Sequence, residues 1–171
     1  MTNSEKGLIQ HAQAGDKAAF RQLYESYVGR VYAICRRLCS DRGRAEEATQ
    51  EVFIKVWRQL PEFSFNSQFT TWLHSIAKRT AIDMWRREQV RLVEVGDEHE
   101  SEATAEGAFD NELERAIQRL PAQSKAVFVL VAIEGHTHRE VAELLHIAEG
   151  SSKSHYFRAR QLLKEALSHE S

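Results

Sequence analysis

No apolar run in this 171-residue chain approaches the roughly eighteen residues needed to cross a bilayer. Its opening residues, MTNSEKGLIQHAQAGDK, contain acids and no cleavable hydrophobic segment. The expected location is therefore the cytoplasm. Cysteine is scarce too: Cys35 and Cys39 stand four residues apart in a helical pattern with Val28, Val31, Tyr32 and Leu38. That spacing puts both thiols on one apolar face, where core packing is the expected role. Zinc would need two more ligands, and no cysteine or histidine pair with finger spacing lies nearby. His136, His138, His146 and His155 match neither HExxH, a finger nor a facial triad. They read as surface and turn residues, and no metal or cofactor is expected. A P-loop, a nucleophile elbow, a glycine-rich dinucleotide loop and a convergent carboxylate pair are all missing. Neither catalytic residues nor a small-molecule substrate is expected.

The hydrophobic fraction is 42%, enough for compact helical cores, and the length allows one domain or two small ones. The net charge of −2 averages over segments of opposite sign. From Glu88 to Glu114 ten acids face one base, Arg91, so that piece carries −9 and the rest +7. A basic remainder suits phosphate binding.

The stretch from Asp41 to Arg87 is the most informative. Ala45, Ala48, Val52, Val56 and Leu60 form one stripe of a helix running roughly from Gly43 to Leu60. Its other face collects Glu47, Gln50, Glu51, Ile54 and Arg58, either a solvated face or a docking face for a basic partner. A second helix, roughly Phe69 to Arg87, has Ser67 as its expected N-cap and buries Leu73, Ile76, Ala77, Thr80 and Met84. Elsewhere on that cylinder Trp72, Arg79 and Arg86 recur every seven residues beside Lys78, Trp85 and Arg87. Cations next to flat rings suit a nucleic-acid strand, the cations meeting phosphates and the rings stacking on unpaired bases. Between the helices, PEFSFNSQF interleaves Phe63, Phe65 and Phe69 with Ser64, Asn66, Ser67 and Gln68. Either it exposes its rings and reads the edge of a base drawn out of its stack, or it folds onto its own core.

Two helices precede this stretch, about Ser4 to Ala14 and Lys17 to Cys39, the second capped by Asp16 and apolar at Phe20, Leu23, Tyr24, Tyr27, Val31, Ile34 and Leu38. After it, EQVRLVEVGDEHESEATAEG is acidic and poor in aromatics, which favours a flexible linker. A helix from Phe109 to Arg119 carries Leu113, Ala116, Ile117 and Leu120, and Pro121 starts another with Val127, Phe128, Leu130, Val131 and Ile133, ended by Gly135. Thr137 and Glu140 form a capping box for a short helix with Val141, Ala142, Leu144 and Leu145. After the turn His146 to Gly150, a longer helix runs from Ser151 to Leu167. The pair describes a helix-turn-helix, Lys153, Ser154, Phe157, Arg158 and Arg160 facing out and Tyr156, Ala159, Leu162, Leu163 and Ala166 facing in.

TQEVF, FTTWLHSIAKRTAIDMWRR and the C-terminal helix-turn-helix, in this order and at this separation, resemble the extracytoplasmic-function group of bacterial sigma-70 family factors. The resemblance implies an all-α fold of two small helical domains: a sigma region 2-like helical bundle over 1–88 and a sigma region 4-like helix-turn-helix over 108–171, joined by a flexible acidic linker over 89–107. It implies docking on the clamp helices of the largest subunit of core RNA polymerase through Glu47, Thr49, Gln50, Glu51 and Phe53. Arg44 and Ala48 depart from the usual acid and leucine there. Minus-ten recognition and melting fall to Phe63, Asn66 and Ser67 in the loop and to Trp72, Lys78 and Arg79 on the following helix. Minus-thirty-five contacts fall to Lys153, Ser154, Phe157 and Arg158, which suit guanine edges, phosphates and a thymine methyl. The linker would thread toward the polymerase active-site cleft. The implied partners are core polymerase, including the subunit that contacts the C-terminal domain, promoter DNA and an anti-sigma factor.

Three departures touch the C-terminal motif: His146 replaces the usual turn glycine, Ser152 stands where a branched aliphatic normally buries, and His155 replaces a frequent arginine. Loss of the aliphatic is expected to loosen the packing, with the larger Tyr156 as the offset. Two other readings compete. A sigma-like decoy that titrates an anti-sigma factor without reaching DNA would tolerate loss of Lys78, Arg79, Lys153 and Arg158, all of which are present. A plain helix-turn-helix repressor leaves TQEVF and the aromatic loop without purpose.

Overall fold

The computed structural model describes residues 2–96 and 111–169, and among these the secondary structure is helical, with no strand. Four helices make the first lobe: α1 (Asn3–Gln13), α2 (Lys17–Leu38), α3 (Arg42–Gln59) and α4 (Phe69–Val95). The local signals are chemical. Thr2 caps α1, Asp16 accepts from the Ala18 and Ala19 amides to start α2, and Asp41 accepts from Arg44 to start α3. A 3-10 turn at Leu60–Glu62, with Pro61 in it, ends α3 and opens the aromatic loop.

The core of this lobe is the meeting of α2, α3 and α4. Ala45, Ala48, Ala77 and Ala81 are fully buried and let the backbones approach, while Leu38, Val52, Val56, Leu60, Leu73 and Met84 fill the space between them. Both cysteines are buried and unpaired. Burial pushes the Cys35 thiol up to about 11 and raises Cys39 further, so both are packing groups rather than nucleophiles.

Two local expectations are corrected. Ser67 does not cap α4: the cap residue is Gln68, with no side-chain bond. The helix start is fixed by Phe69, which is buried edge-to-face against Tyr27 at 5.3 Å. At its other end α4 runs on to Val95, through the first part of the expected linker, and Gly96 ends it in the left-handed conformation. No glycine or proline interrupts the turns after Arg87, and Glu88 is a core residue that accepts from the buried Ser40 hydroxyl. Residues 97–107 of the expected linker lie outside the described residues, as do Phe109 and Asp110 at the expected start of the next helix.

The second lobe comprises α5 (Glu112–Gln118, capped by Asn111), α6 (Ala122–Phe128), α7 (His138–Leu145) and α8 (Glu149–His169). A wider π turn over Val129–Ile133 continues α6, and Gly135 closes it at positive φ. Ile117, Leu120, Val127, Leu130, Val141, Leu145, Ala159 and Leu163 are its buried centre. Leu113 and Ile133, expected inside, are 42% and 41% exposed: Leu113 lies in the first turn of α5 and Ile133 at the last position of the π turn.

A set of polar bonds crosses between the lobes. Arg36 Nη1 donates to Gln118 Oε1 at 2.9 Å and Gln118 Nε2 returns a bond to the Arg36 carbonyl at 3.2 Å. Arg37 donates to Glu114 at 2.7 Å. Lys125, 1% exposed, donates from Nζ to the Cys39 carbonyl at 2.7 Å. Burial, then the Arg36 guanidinium, pushes Lys125 down from 10.5 to about 8, with Cys39, Glu88 and Asp41 opposing weakly. The fold thus disfavours the protonated lysine. Its cost is present in full below about pH 8 and is relieved as pH rises toward 10.5. The melting temperature of the wild type relative to Lys125→Met should rise steadily between pH 7.5 and 10; a flat difference would show that Lys125 keeps its ordinary proton affinity.

Candidate nucleic-acid interface

Loop and helix α4 form one surface. Phe63 is only 5% exposed and sits in a ring cluster with Phe65 at 4.8 Å, Trp72 at 5.0 Å and Phe69 at 5.7 Å. The loop is therefore folded onto the core, and Phe63 is a strut rather than an exposed platform. Between Phe63 and Phe69 it exposes Ser64, Asn66, Ser67 and Gln68. Phe65, half-buried, takes a left-handed conformation at φ 60°, uncommon for an aromatic residue. It turns the chain so that Asn66, Ser67 and Gln68 follow it outward.

On α4, Trp72 is half-buried against Phe63 and Phe69, and Trp85 is core. Arg79 is exposed. Lys78 lies 3.8 Å from the Glu134 carboxylate of the second lobe, and His74 Nε2 donates to the same carboxylate at 2.7 Å. About two turns further on, Arg86 pairs with Asp83 and donates to His146 Nε2 at 2.9 Å. Glu134 and His146 are thus contacts of this surface that sequence patterning gave no reason to place there.

The face of α3 splits in two. Glu47, Gln50 and Ile54 are exposed, Ile54 by 51%, while Glu51 accepts from Arg87 at 3.0 Å. Thr49 is buried, its hydroxyl donating to the Ala45 carbonyl at 2.7 Å, and Phe53 is buried edge-to-face with Tyr24 at 4.7 Å. Thr49 and Phe53 therefore shape the face from beneath. A shallow apolar groove of about 590 Å³ runs between α2 and α3, lined by Phe20, Tyr24, Gln50, Phe53, Ile54, Trp57 and Arg58. Phe20 and Tyr24 read as core from their spacing, yet Tyr24 is 40% exposed.

In the second lobe, Thr137 and Glu140 close their capping box, and His146 ends α7 in the left-handed conformation usually left to glycine. The helix α8 starts at Glu149, two residues earlier than expected. Along it Lys153, Ser154, Phe157 and Arg158 are exposed, Phe157 by 64%. Lys153 lies 3.7 Å from Glu149, and the Ser154 hydroxyl donates to the Gly150 carbonyl at 3.1 Å. Ser152 does not leave a void. It is fully buried with its Oγ 2.9 Å from His138 Nδ1, a polar tie between α7 and α8 in place of an apolar contact. Tyr156 stacks on Phe128 at 6.0 Å. His155 lies 3.3 Å from the Ser124 hydroxyl, and burial, then the Arg158 charge, lower its proton affinity. The histidines thus serve as local hydrogen-bonding groups; among the described residues no group of three or more His, Cys, Asp or Glu is placed to hold a metal. No described helix is long and apolar enough to cross a membrane.

The family model for sigma-70 region 2 matches residues 23–91 and that for sigma-70 region 4 matches residues 110–163. Similar curated proteins include the ECF RNA polymerase sigma-E factor of Haemophilus influenzae, 30% identical over 96% of this chain and 95% of that one. The ECF RNA polymerase sigma factor SigW of Bacillus subtilis is 28% identical over 95% of this chain and 96% of that one. Among solved structures, the sigma factor RpoE of Bartonella quintana, in complex with the anti-sigma factor NepR, is similar at TM-score 0.53 and 24% identity over 87% of this chain and 96% of that one. CnrH in complex with the cytosolic domain of CnrY gives 0.52 at 22% over 99% of this chain and 100% of that one. Removing the buried tie with Ser152→Ala should destabilise the second lobe by about 1 kcal/mol, seen as a lower melting temperature; an unchanged value would mean the Ser152–His138 contact contributes nothing.

Proposed function

The chain belongs to the extracytoplasmic-function group of sigma-70 family factors, and from that premise we propose how its own residues work. It is an alternative sigma factor: it binds core RNA polymerase, recognises the minus-thirty-five and minus-ten elements of promoters and promotes DNA melting. The observation that carries the assignment of residues is the packing of the loop on the start of α4 through Phe63 and Trp72, with Asn66 and Ser67 exposed on the loop and Arg79 exposed further along the helix.

The region 2-like lobe over 1–88 docks on the polymerase clamp helices through Glu47, Gln50, Glu51 and the Ile54 side of the α2–α3 groove, with Thr49 and Phe53 holding that face from within. Asn66 and Ser67 read a minus-ten base out of its stack, Phe63 fixes their loop, and Trp72, Lys78 and Arg79 hold the unpaired strand. The region 4-like lobe over 108–171 lays α8 in the major groove, with Lys153 and Arg158 on guanine edges or phosphates and Phe157 against a thymine methyl. The residues between are the acidic connector. An anti-sigma factor is a further proposed partner, the similar sigma factor RpoE having been solved in complex with one. The chain itself carries out no chemistry in this reading. It works in the cytoplasm, with the polymerase.

Run-off transcription with purified core polymerase on a promoter library tests the reading: promoter-specific transcripts are expected, and their absence would sink it. Asn66→Ala should spare core and duplex binding while slowing open-complex formation. Phe63→Ala should instead cost about 3–5 kcal/mol of stability as a buried aromatic. Lys153→Ala or Arg158→Ala should each weaken upstream recognition by about 1–3 kcal/mol, read as duplex affinity in the holoenzyme; unchanged affinity would remove α8 as the reader.

A further inference from the structure

Helix α1 is tied to the aromatic loop. Gln13 Nε2 donates to the Leu60 carbonyl at 3.0 Å and to the Phe63 carbonyl at 2.8 Å, bridging both sides of the chain reversal that leads into the loop. Seven residues earlier, and so on the same side of the helix, Lys6 holds its ammonium over the Phe65 ring at 5.4 Å from the centroid. Between them Ile9 is fully buried and pins the helix to the lobe.

On the Lys6 side lies an open depression of about 480 Å³ lined by Lys6, Phe65, Asn66, Ser67 and Gln68, a size in the range of small-ligand sites. Its inventory is one cation, one aromatic ring, two amides and a hydroxyl, with no carboxylate. An unpaired nucleotide needs that set: a flat partner for the base, donors and acceptors for its edge, and a positive charge for its phosphate. The ring offered is that of Phe65, whose left-handed backbone carries it beneath Lys6. A cation over a ring at an open site is worth only about 0.5–1 kcal/mol, so the ammonium can exchange that contact for a phosphate.

We propose that α1 is one wall of the strand-capture site, Lys6 meeting a backbone phosphate of the captured nucleotide while Gln13 acts as a positioning residue for the loop. This rests on the assignment of Asn66 and Ser67 to minus-ten capture. The test uses holoenzyme reconstituted with core polymerase and a single-stranded oligonucleotide of the minus-ten non-template strand, titrated over a range of salt concentrations.

Lys6→Ala should weaken binding and make the slope of log affinity against log salt shallower by about 0.7, the value for one phosphate on a single strand. Lys6→Arg should keep the wild-type slope, and core association should be unchanged in both. Gln13→Ala should weaken strand binding with the slope intact, because it removes no charge. An unaltered slope and affinity in Lys6→Ala, with Asn66→Ala still impaired, would overturn the role of α1 alone. If Asn66→Ala also binds like wild type, the capture site itself is misassigned and both readings fall.

Discussion

The packing of α4 against α2 and α3 is the constraint from which the rest of the molecule follows. A helix has one rotational setting once its buried stripe is fixed, and here Leu73, Ile76, Ala77, Thr80, Ala81 and Met84 fix it. The alanines allow close approach, and Thr80 is reconciled to burial by donating to the Ile76 carbonyl and accepting from Lys55 at 3.2 Å. With that stripe inward, Arg79 projects to solvent, and Trp72 and Lys78 fall at the margin, half-covered. Phe69 transmits the same constraint to the loop: anchored on Tyr27, it gives Phe63 and Trp72 a surface to pack on, and their packing sets where Asn66 and Ser67 emerge.

The contact between lobes has a different energetic character. Charged and polar groups cross it at Arg36, Arg37, Glu114, Gln118 and Lys125, and again where His74 and Lys78 meet Glu134 and Arg86 meets His146, each at a cost in desolvation. Lys125 illustrates it: a cation held by a carbonyl and an amide oxygen, with no carboxylate among its hydrogen-bond partners. Such a joint is specific in geometry and modest in strength. That combination suits two lobes which must engage separate elements of a promoter.

Much of this was legible in the sequence because it rests on periodicity and on local chemistry. The stripe of α3, the caps at Asp16 and Thr137 and the closing Gly135 are all repeated in the structure. The misses share a cause: they depend on what lies across space. Loop position and a polar setting left Phe63 open between an exposed ring and one folded onto the core, and it is three neighbouring rings that give it a dry environment. Thr49 fits the docking motif by position yet points inward because its hydroxyl can be satisfied by Ala45. Glu88 looked like the first acid of a linker, and only the Ser40 hydroxyl, 48 residues away, explains its burial. Ser152 looked like a packing defect until His138 was beside it. Lys125 carried no local signal of burial, since lysine spacing says nothing about a carbonyl from another lobe.

The two surfaces proposed to meet nucleic acid are not equally accessible in this arrangement. Lys153 and Phe157 of α8 face solvent, the lysine paired only with Glu149 one turn back, an exposed pair worth little. Lys78 on α4, by contrast, shares the Glu134 carboxylate with His74, and Arg86 is joined to His146 at the turn before α8. Upstream duplex can therefore meet α8 with the lobes as they stand. A strand laid along α4 must take Lys78 from Glu134, and Glu134 belongs to the lobe that carries α8. The phosphate that replaces that carboxylate offers the lysine a comparable charge, so the exchange is near balance in the ion pair itself. What decides it is the rest of the strand on Trp72, Arg79 and the polar loop, together with whatever favours moving the second lobe away. In the proposed assignment, binding of the minus-ten strand by Lys78 thus competes with a contact between the lobes.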